Sequence, residues 1–494
     1  MRHLILFAAL VAGAFAFVGA AAAAPTVTPV AGAPQFALGA TDLATAGYVM
    51  EEFFLAGTAT SYRRAGPLGA DGKWDAAAAD SAPYVTRIVV IRPADAGAFN
   101  GTALVEWLNV SGGMDAAPDW MAAHREILRD GYAYIGVSAQ KVGVEGGGRS
   151  LTPGQPLKQQ NPARYGQLSH PGDAWAFDIF SEAGRAARGQ GSARVLGPLT
   201  ARRVIAMGES QSAIFLTTYV NAVDPLARVY DGFLIHSRFG GAPSVEGVSN
   251  LGGAQTDTPP AVRFRDDLRV PVLTLLTETD VLGGAQLAGY LGADQPDGAN
   301  LRVWEVPGTA HADAYLFGGW ALDTGLASAP RVAEALKPSR TVAGTVVALP
   351  INAAPQHHYV LEAAIKSLDF WIRAGEPPPQ AARLAMLPAG PAGAVRFDVD
   401  ANGNVKGGVR TPWVDVPLAR LSGVGNSGGP LGFLVGVTEP FDATKRAQLY
   451  PGGKANYLAR FDVALRASIR AGFILPADME EIQALAAAMY PETP

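Results

Sequence analysis

The chain has no cysteine, which excludes disulfides, thiolate metal sites and a cysteine nucleophile. Charge is sparse: 17% of residues are charged and the net charge is -5. No basic block occurs, so the electrostatic footprint of a nucleic-acid binder is missing. No G-x-x-x-x-G-K-[ST] segment is present either, which argues against a P-loop nucleotide enzyme. Beyond the first two dozen residues no apolar run is long enough to span a bilayer, so no membrane association is expected once that leader is removed. Internal repeats and zinc-type histidine spacings are absent as well. No cofactor or metal is expected.

What is there is a chain of 494 residues, 49% hydrophobic, enough for a large core with insertions or an added lobe. Arg2 and His3 precede an apolar run from Leu4 to Ala24 that ends in small residues. This reads as a secretory signal peptide (1–24) cleaved near Ala23 or Ala24, with an uncleaved anchor as the alternative. Export without disulfides fits a bacterial periplasmic or secreted protein.

Tyr48 to Tyr62 suggests a bent strand or hairpin, and the Gly/Ala/Asp-rich stretch from Arg64 to Pro83 a surface loop. Strands follow at Val85–Ile91, Ala103–Asn109 and Ala133–Ser138, then at Val229–His236, Pro271–Thr277 and Leu301–Val306. Helical spacing appears at Ala116–Arg129, Asp173–Arg188 and His357–Ala374. Continuous apolar strands alternating with helices argue for an α/β fold, a mostly parallel sheet covered on both faces. Residues 25–375 are read as this core and 376–494 as a C-terminal lobe, with strands over Val395–Leu421 and helices from Asp442 onward.

The most telling stretch is VIAMGESQSAIFLTTYVNAV, Val204 to Val223. It reads as a buried strand, a sharp turn at Ser210 and a buried helix, with Gly208, Ser210 and Ser212 in the pattern of a G-x-S-x-G elbow whose last glycine is serine. Residues two either side of such a serine must be small for strand and helix to approach. In an open parallel sheet, sites lie beyond the carboxyl ends of the strands. There stand Glu278 and Asp280 after Pro271–Thr277, and His311 after Leu301–Val306.

The order serine, acid, histidine at three strand ends resembles the α/β-hydrolase superfamily, and the chain is most similar to its large exported bacterial "alpha/beta hydrolase domain" proteins. The stretches that carry the likeness are EWLNVSGGMDAAPDW, HPGDAWAFDIFSEAGRA, MGESQSA, DGFLIHSRFGG, TETDV, GTAHAD and RTPWVDVPLARLSG. They run from about residue 40 to the C-terminus. The resemblance implies a serine hydrolase of carboxylic esters with Ser210 as nucleophile and His311 as base. Asp280 is preferred as the acid and Glu278 is the alternative, since two acids two residues apart share one side of an extended chain. Backbone amides of Gln211, and of Val110 or Ser111 beside Gly112-Gly113, would form the oxyanion hole.

Long insertions at Val142–Ser169, Ser237–Leu268 and Ala312–Pro350 would build the pocket. His236, Arg238, Trp304 and Tyr315 are its candidate lining, with Phe239, Phe317 and Trp320 also considered. His170 is a further candidate, and His124 falls on a surface helix. The expected partner is a small-molecule ester; an amidase or peptidase, an acyltransferase, or a non-catalytic exported binding protein are the alternatives, and oligomeric state is not readable. Asp398, Asp400, Asn402 and Gly403 open like a calcium loop, but Val409 stands at the twelfth position and a turn at Asn402-Gly403 accounts for them.

Overall fold

A computed structural model describes residues 24–148, 150–247, 257–284, 287–388 and 395–491. The expected signal peptide, but for Ala24, lies outside the described residues.

Nine strands form one sheet: β1 (Thr26–Pro29), β2 (Tyr48–Arg64), β3 (Ala76–Pro93), β4 (Thr102–Trp107), β5 (Ala133–Val137), β6 (Arg203–Glu209), β7 (Gly232–His236), β8 (Val272–Thr277) and β9 (Leu301–Val306). Their order is β1-β2-β3-β5-β4-β6-β7-β8-β9. The first three are antiparallel, and the run from β5 to β9 is parallel. This is the α/β architecture expected from the alternation of strands and helices. The β2–β3 pair differs from expectation. Residues 76–83, expected as loop, continue β3 and pair with β2 out to Arg64↔Ala76. Alanine, serine and aspartate have little strand preference of their own, so hairpin pairing overrides propensity there.

Two-residue periodicity sorts the strand side chains onto opposite faces. Val105, Trp107, Val204, Ala206, Phe233 and Ile235 face one apolar layer. That layer is closed by α2 (Ala176–Ala187) and α3 (Gln211–Thr218), numbering in chain order after α1 (Pro118–Arg129). Leu104, Ile205, Met207, Leu234, Leu273 and Leu275 face the other layer, with α1 and a later helix, Gln356–Ala374. His124, expected on a surface, is buried in α1 because that helix is clamped between the sheet side and Asp323, whose carbonyl its Nε2 meets at 3.1 Å.

After residue 376 the strands are short: Met386–Leu387 pairs with Arg396–Phe397 and Ala419–Ser422 with Val437–Pro440. Asp400 Oδ1 accepts the Asn402 and Asn404 amides, and Lys406 pairs with Asp398, so the calcium-like residues are engaged in a turn. The terminal helices Gly453–Arg470 and Met479–Met489 share an apolar cluster with Tyr315 and Trp320 of the insertion over the sheet's carboxyl edge.

Candidate active site

Ser210 follows β6 directly and precedes the first residue of α3, with φ 60° and ψ -118°. A non-glycine residue at positive φ is strained, and it persists only where surrounding structure holds it. Here the Ser210 amide donates to the His236 carbonyl (2.9 Å), and its carbonyl accepts the Ile214 amide (3.0 Å). Gly208 explains why Ser212 is tolerated. A Cβ on Gly208 would lie 3.0 Å from both the Ser212 Cβ and Leu216 Cδ1. Strand and helix therefore have room for one side chain at the crossing, and Ser212 takes it.

His311 sits in the loop after β9. Its Nε2 is 2.8 Å from Ser210 Oγ and its Nδ1 is 2.6 Å from Asp280 Oδ1. Asp280 Oδ2 accepts the Thr277 amide at 2.7 Å, and the Asp280 amide reaches Thr277 Oγ1 at 3.3 Å, a capping box at the start of a helical turn, Glu278–Leu282. Burial alone would raise the Asp280 carboxyl, but His311 and then the Thr277 bonds hold it below its ordinary value. Asp280 is thus ionised beside the imidazole.

Glu278 faces elsewhere. Its carboxylate accepts the amides of Gly308 (2.6 Å) and Gly423 (2.8 Å) and the Ser422 hydroxyl (3.2 Å). It staples the end of β8 to the loop after β9 and to the C-terminal segment. Because the chain turns helical after Thr277, residues two apart are rotated by about 200°, so the two acids do not share a side.

The Gln211 amide is the first N–H of α3, and the helix itself offers it no acceptor. The Asn109 amide group ties the loop after β4 to the elbow, donating to the Glu209 carbonyl and to its Oε2, both at 3.1 Å. Ser111 differs from expectation: its amide donates to Asn109 Oδ1 at 2.7 Å. Among the described residues no hydrogen bond takes up the Val110 amide. Gly113 turns the loop at φ 75°, its amide bonded to the Val110 carbonyl.

A small cavity of about 10 Å³ adjoins His311, lined by Glu209, His236, Asp313, Tyr315, His357 and His358 among others. Two of the expected lining residues are here, His236 and Tyr315. Trp304 is not. It lies on the same sheet face as His236 but two strands along, in register through Leu275, with Nε1 donating to the Pro379 carbonyl (2.9 Å) and its ring against Phe473. Arg238 is not at the cavity either; its fully buried guanidinium donates to the carbonyls of Phe239, Gly240 and Val262 and lies over Phe264 and Tyr290. Burial pushes it down to about 10. His170 accepts the Gly172 amide and meets the Ala139 carbonyl, away from the cavity. Phe239 borders His311 at 5.0 Å between ring centres, Trp320 is buried near His124, and Phe317 is exposed.

Glu209, Asp119 and His357 are not among the expected site residues, yet they join the expected His236 beside His311. Glu209, paired in register with His236 on adjacent strands, places Oε1 3.2 Å from His311 Nε2. Burial, then Asp119, raise its carboxyl well above the ordinary range. His236 bridges Asp119 Oδ1 (2.7 Å) and His357 Nε2 (2.8 Å). Burial, then His357, hold His236 well below its ordinary value, so it is neutral. Glu209 lies inside the elbow pentapeptide and His236 at a strand end, which marked them as near the site; Asp119 and His357 come from helices with no such marker.

A family model described as "Alpha/beta hydrolase domain" matches residues 20–484. No curated protein matches the sequence. Solved structures similar to it include acetyl xylan esterase 1 from Thermoanaerobacterium sp. JW/SL YS485, at 9% identity over 57% of this chain and 81% of that one, TM-score 0.28. A fungal esterase from Rhizomucor miehei is 13% identical over 56% of this chain and 83% of that one, TM-score 0.27. Scores this low bear neither on fold nor on substrate.

Proposed function

The chain belongs to the alpha/beta hydrolase domain family, and from that premise we propose that it is a serine hydrolase of small-molecule carboxylic esters acting through an acyl-enzyme on Ser210. The observation that carries this reading is the unbroken contact from Ser210 Oγ through His311 to Asp280, with Ser210 held at positive φ. Serine is a poor nucleophile until a base removes its proton, and His311 Nε2 is in reach to do so. Asp280, ionised and buried, keeps Nδ1 protonated and stabilises the imidazolium that forms. The Gln211 and Val110 amides are the donors assigned to the oxyanion, with Ser111 set aside because its amide is engaged.

After the alcohol leaves, His311 activates water against the acyl-enzyme. The adjoining cavity has volume for one water and polar walls to hold it. Neutral His236 and the raised Glu209 line it without adding charge that would compete with Asp280 for the imidazolium. Export by cleavage of the apolar leader belongs to the same proposal and is supported by its composition.

The test is labelling with a fluorophosphonate probe at neutral pH, alongside hydrolysis of p-nitrophenyl esters of graded acyl length. Covalent labelling of wild type that is lost in Ser210→Ala is expected, together with ester turnover. A folded wild-type protein that takes no label would refute the reading.

A further inference from the structure

His358, which lines the cavity beside His311, presents an anomaly that the proton path just described does not explain. It lies in the first turn of the helix Gln356–Ala374, is 2% exposed, and neither ring nitrogen has a hydrogen-bond partner. Buried polar atoms left unpaired destabilise the fold, and such an atom in a native protein calls for an explanation such as an ion or ordered water. Two carboxylates supply one. One ring nitrogen of His358, one oxygen of Asp323 and one of Glu481 all lie within 4.8 Å of one another.

We propose that Asp323, His358 and Glu481 form a binding site for a divalent transition-metal ion of the zinc class. The three come from separate segments: the turn after Trp320–Leu322, the helix Gln356–Ala374, and the terminal helix Met479–Met489. The donor set, one imidazole and two carboxylates, suits zinc and its neighbours and not calcium, which takes oxygen ligands alone. Three protein donors leave a fourth position for water. Zinc holds such donors about 2.0–2.2 Å from the ion, so the side chains would close by roughly 1 Å around it.

The surroundings are those of a supported ligand set. The Tyr315 hydroxyl donates to Asp323 Oδ2 (2.8 Å), the Gly325 amide to Oδ1 (2.8 Å), and the Tyr359 hydroxyl to Glu481 Oε1 (2.9 Å). Partners of this kind orient carboxylate ligands. The Tyr315 ring stacks on the His358 ring at 3.7 Å and 7°, which fixes the imidazole plane. The cation already nearby is Arg125, with Nε 3.9 Å from Asp323 and Nη2 3.8 Å from Glu481. Both exceed hydrogen-bond length, and Arg125 Nε has no partner. Its partly exposed side chain is therefore free to yield to an ion that engages all three donors.

The site's place in the fold gives it a consequence. Tyr315, which orients Asp323, also lines the cavity beside His311. An ion would pin the Ala312–Pro350 insertion to the terminal helix and so brace that cavity wall. This inference stands apart from the ester-hydrolase reading and survives its failure.

The experiment uses untagged full-length protein, stripped with EDTA, dialysed and titrated with zinc chloride against a chromophoric chelator, with thermal melts in parallel. One equivalent per chain at micromolar affinity or tighter is expected, with a zinc-dependent rise in Tm of several degrees. Glu481→Gln, at the least buried ligand, should keep the folded circular-dichroism spectrum, bind at least about tenfold more weakly and lose the Tm response. His358→Ala should do the same if it folds. No binding by wild type at 100-fold molar excess overturns the proposal. So does binding that Glu481→Gln leaves unchanged, which would place the ion elsewhere.

Discussion

Replacing Asp280 by asparagine discriminates most sharply between the two acids. The carboxylate has two engagements, His311 Nδ1 at 2.6 Å and the Thr277 amide at 2.7 Å, and it accepts in both. Asparagine can accept in only one of them. If its oxygen faces Thr277, its NH2 faces Nδ1 and forces the tautomer that carries the proton on Nε2, so Ser210 loses its base. If its oxygen faces His311, the NH2 meets the Thr277 N–H, donor against donor, and the capping box opens. Either way the imidazolium also loses its counter-charge. The expected loss in kcat is on the order of 10³- to 10⁴-fold, about 4–5.5 kcal/mol of barrier, with KM little changed. Glu278→Gln should behave oppositely. Its carboxylate accepts three hydrogen bonds, and an amide cannot serve all three donors, so stability falls by about 1–3 kcal/mol while the kcat of the folded fraction changes by less than about tenfold. Steady-state kinetics on p-nitrophenyl acetate with chemical denaturation of each variant separate the two effects. Severe loss of kcat in Glu278→Gln with near-normal Asp280→Asn would refute the reasoning.

Other outcomes follow from particular contacts. Gly208→Ala should lose about 1–3 kcal/mol and most activity because the new Cβ meets Leu216 and Ser212 at 3.0 Å, and adding Ser212→Gly should restore a large part of both in a double-mutant cycle. Burial pushes Glu278 up to about 7 from an ordinary 4.5. The folded state therefore binds more protons than the unfolded one between those values, and the stability that Glu278 contributes falls as pH rises from about 4.5 to 7. Urea midpoints across pH 4.5–8 should show a slope for wild type that is reduced in Glu278→Gln; equal slopes would count against it. Trp304→Leu should destabilise by about 2–4 kcal/mol, since the indole is fully buried and bonded to the Pro379 carbonyl, yet leave the ester chain-length profile unchanged. A shifted profile would return Trp304 to the pocket.

Local features of the chain carry the class of sheet and the neighbourhood of the site. Continuous apolar runs and their alternation with helical spacing are local properties, and they were enough to put Ser210, the TETD acids and His311 at carboxyl ends of strands. Small residues at Gly208 and Ser212 signalled a tight crossing for the same reason. What tertiary structure alone decided is direction and partnership. Whether Glu278 or Asp280 turns toward His311 depends on the chain becoming helical after Thr277, a choice fixed by the Thr277–Asp280 capping box together with donors on Gly308 and Gly423, the latter 145 residues away. Trp304 and Arg238 sit near the expected pocket in sequence but are kept from it, Trp304 by its place two strands along from His236 and its bond to the Pro379 carbonyl, Arg238 by carbonyls of neighbouring loops. Asp119, His357 and the Asp323, His358 and Glu481 cluster join helices and loops far apart in the chain, and no local pattern encodes a contact that exists only once those segments have packed.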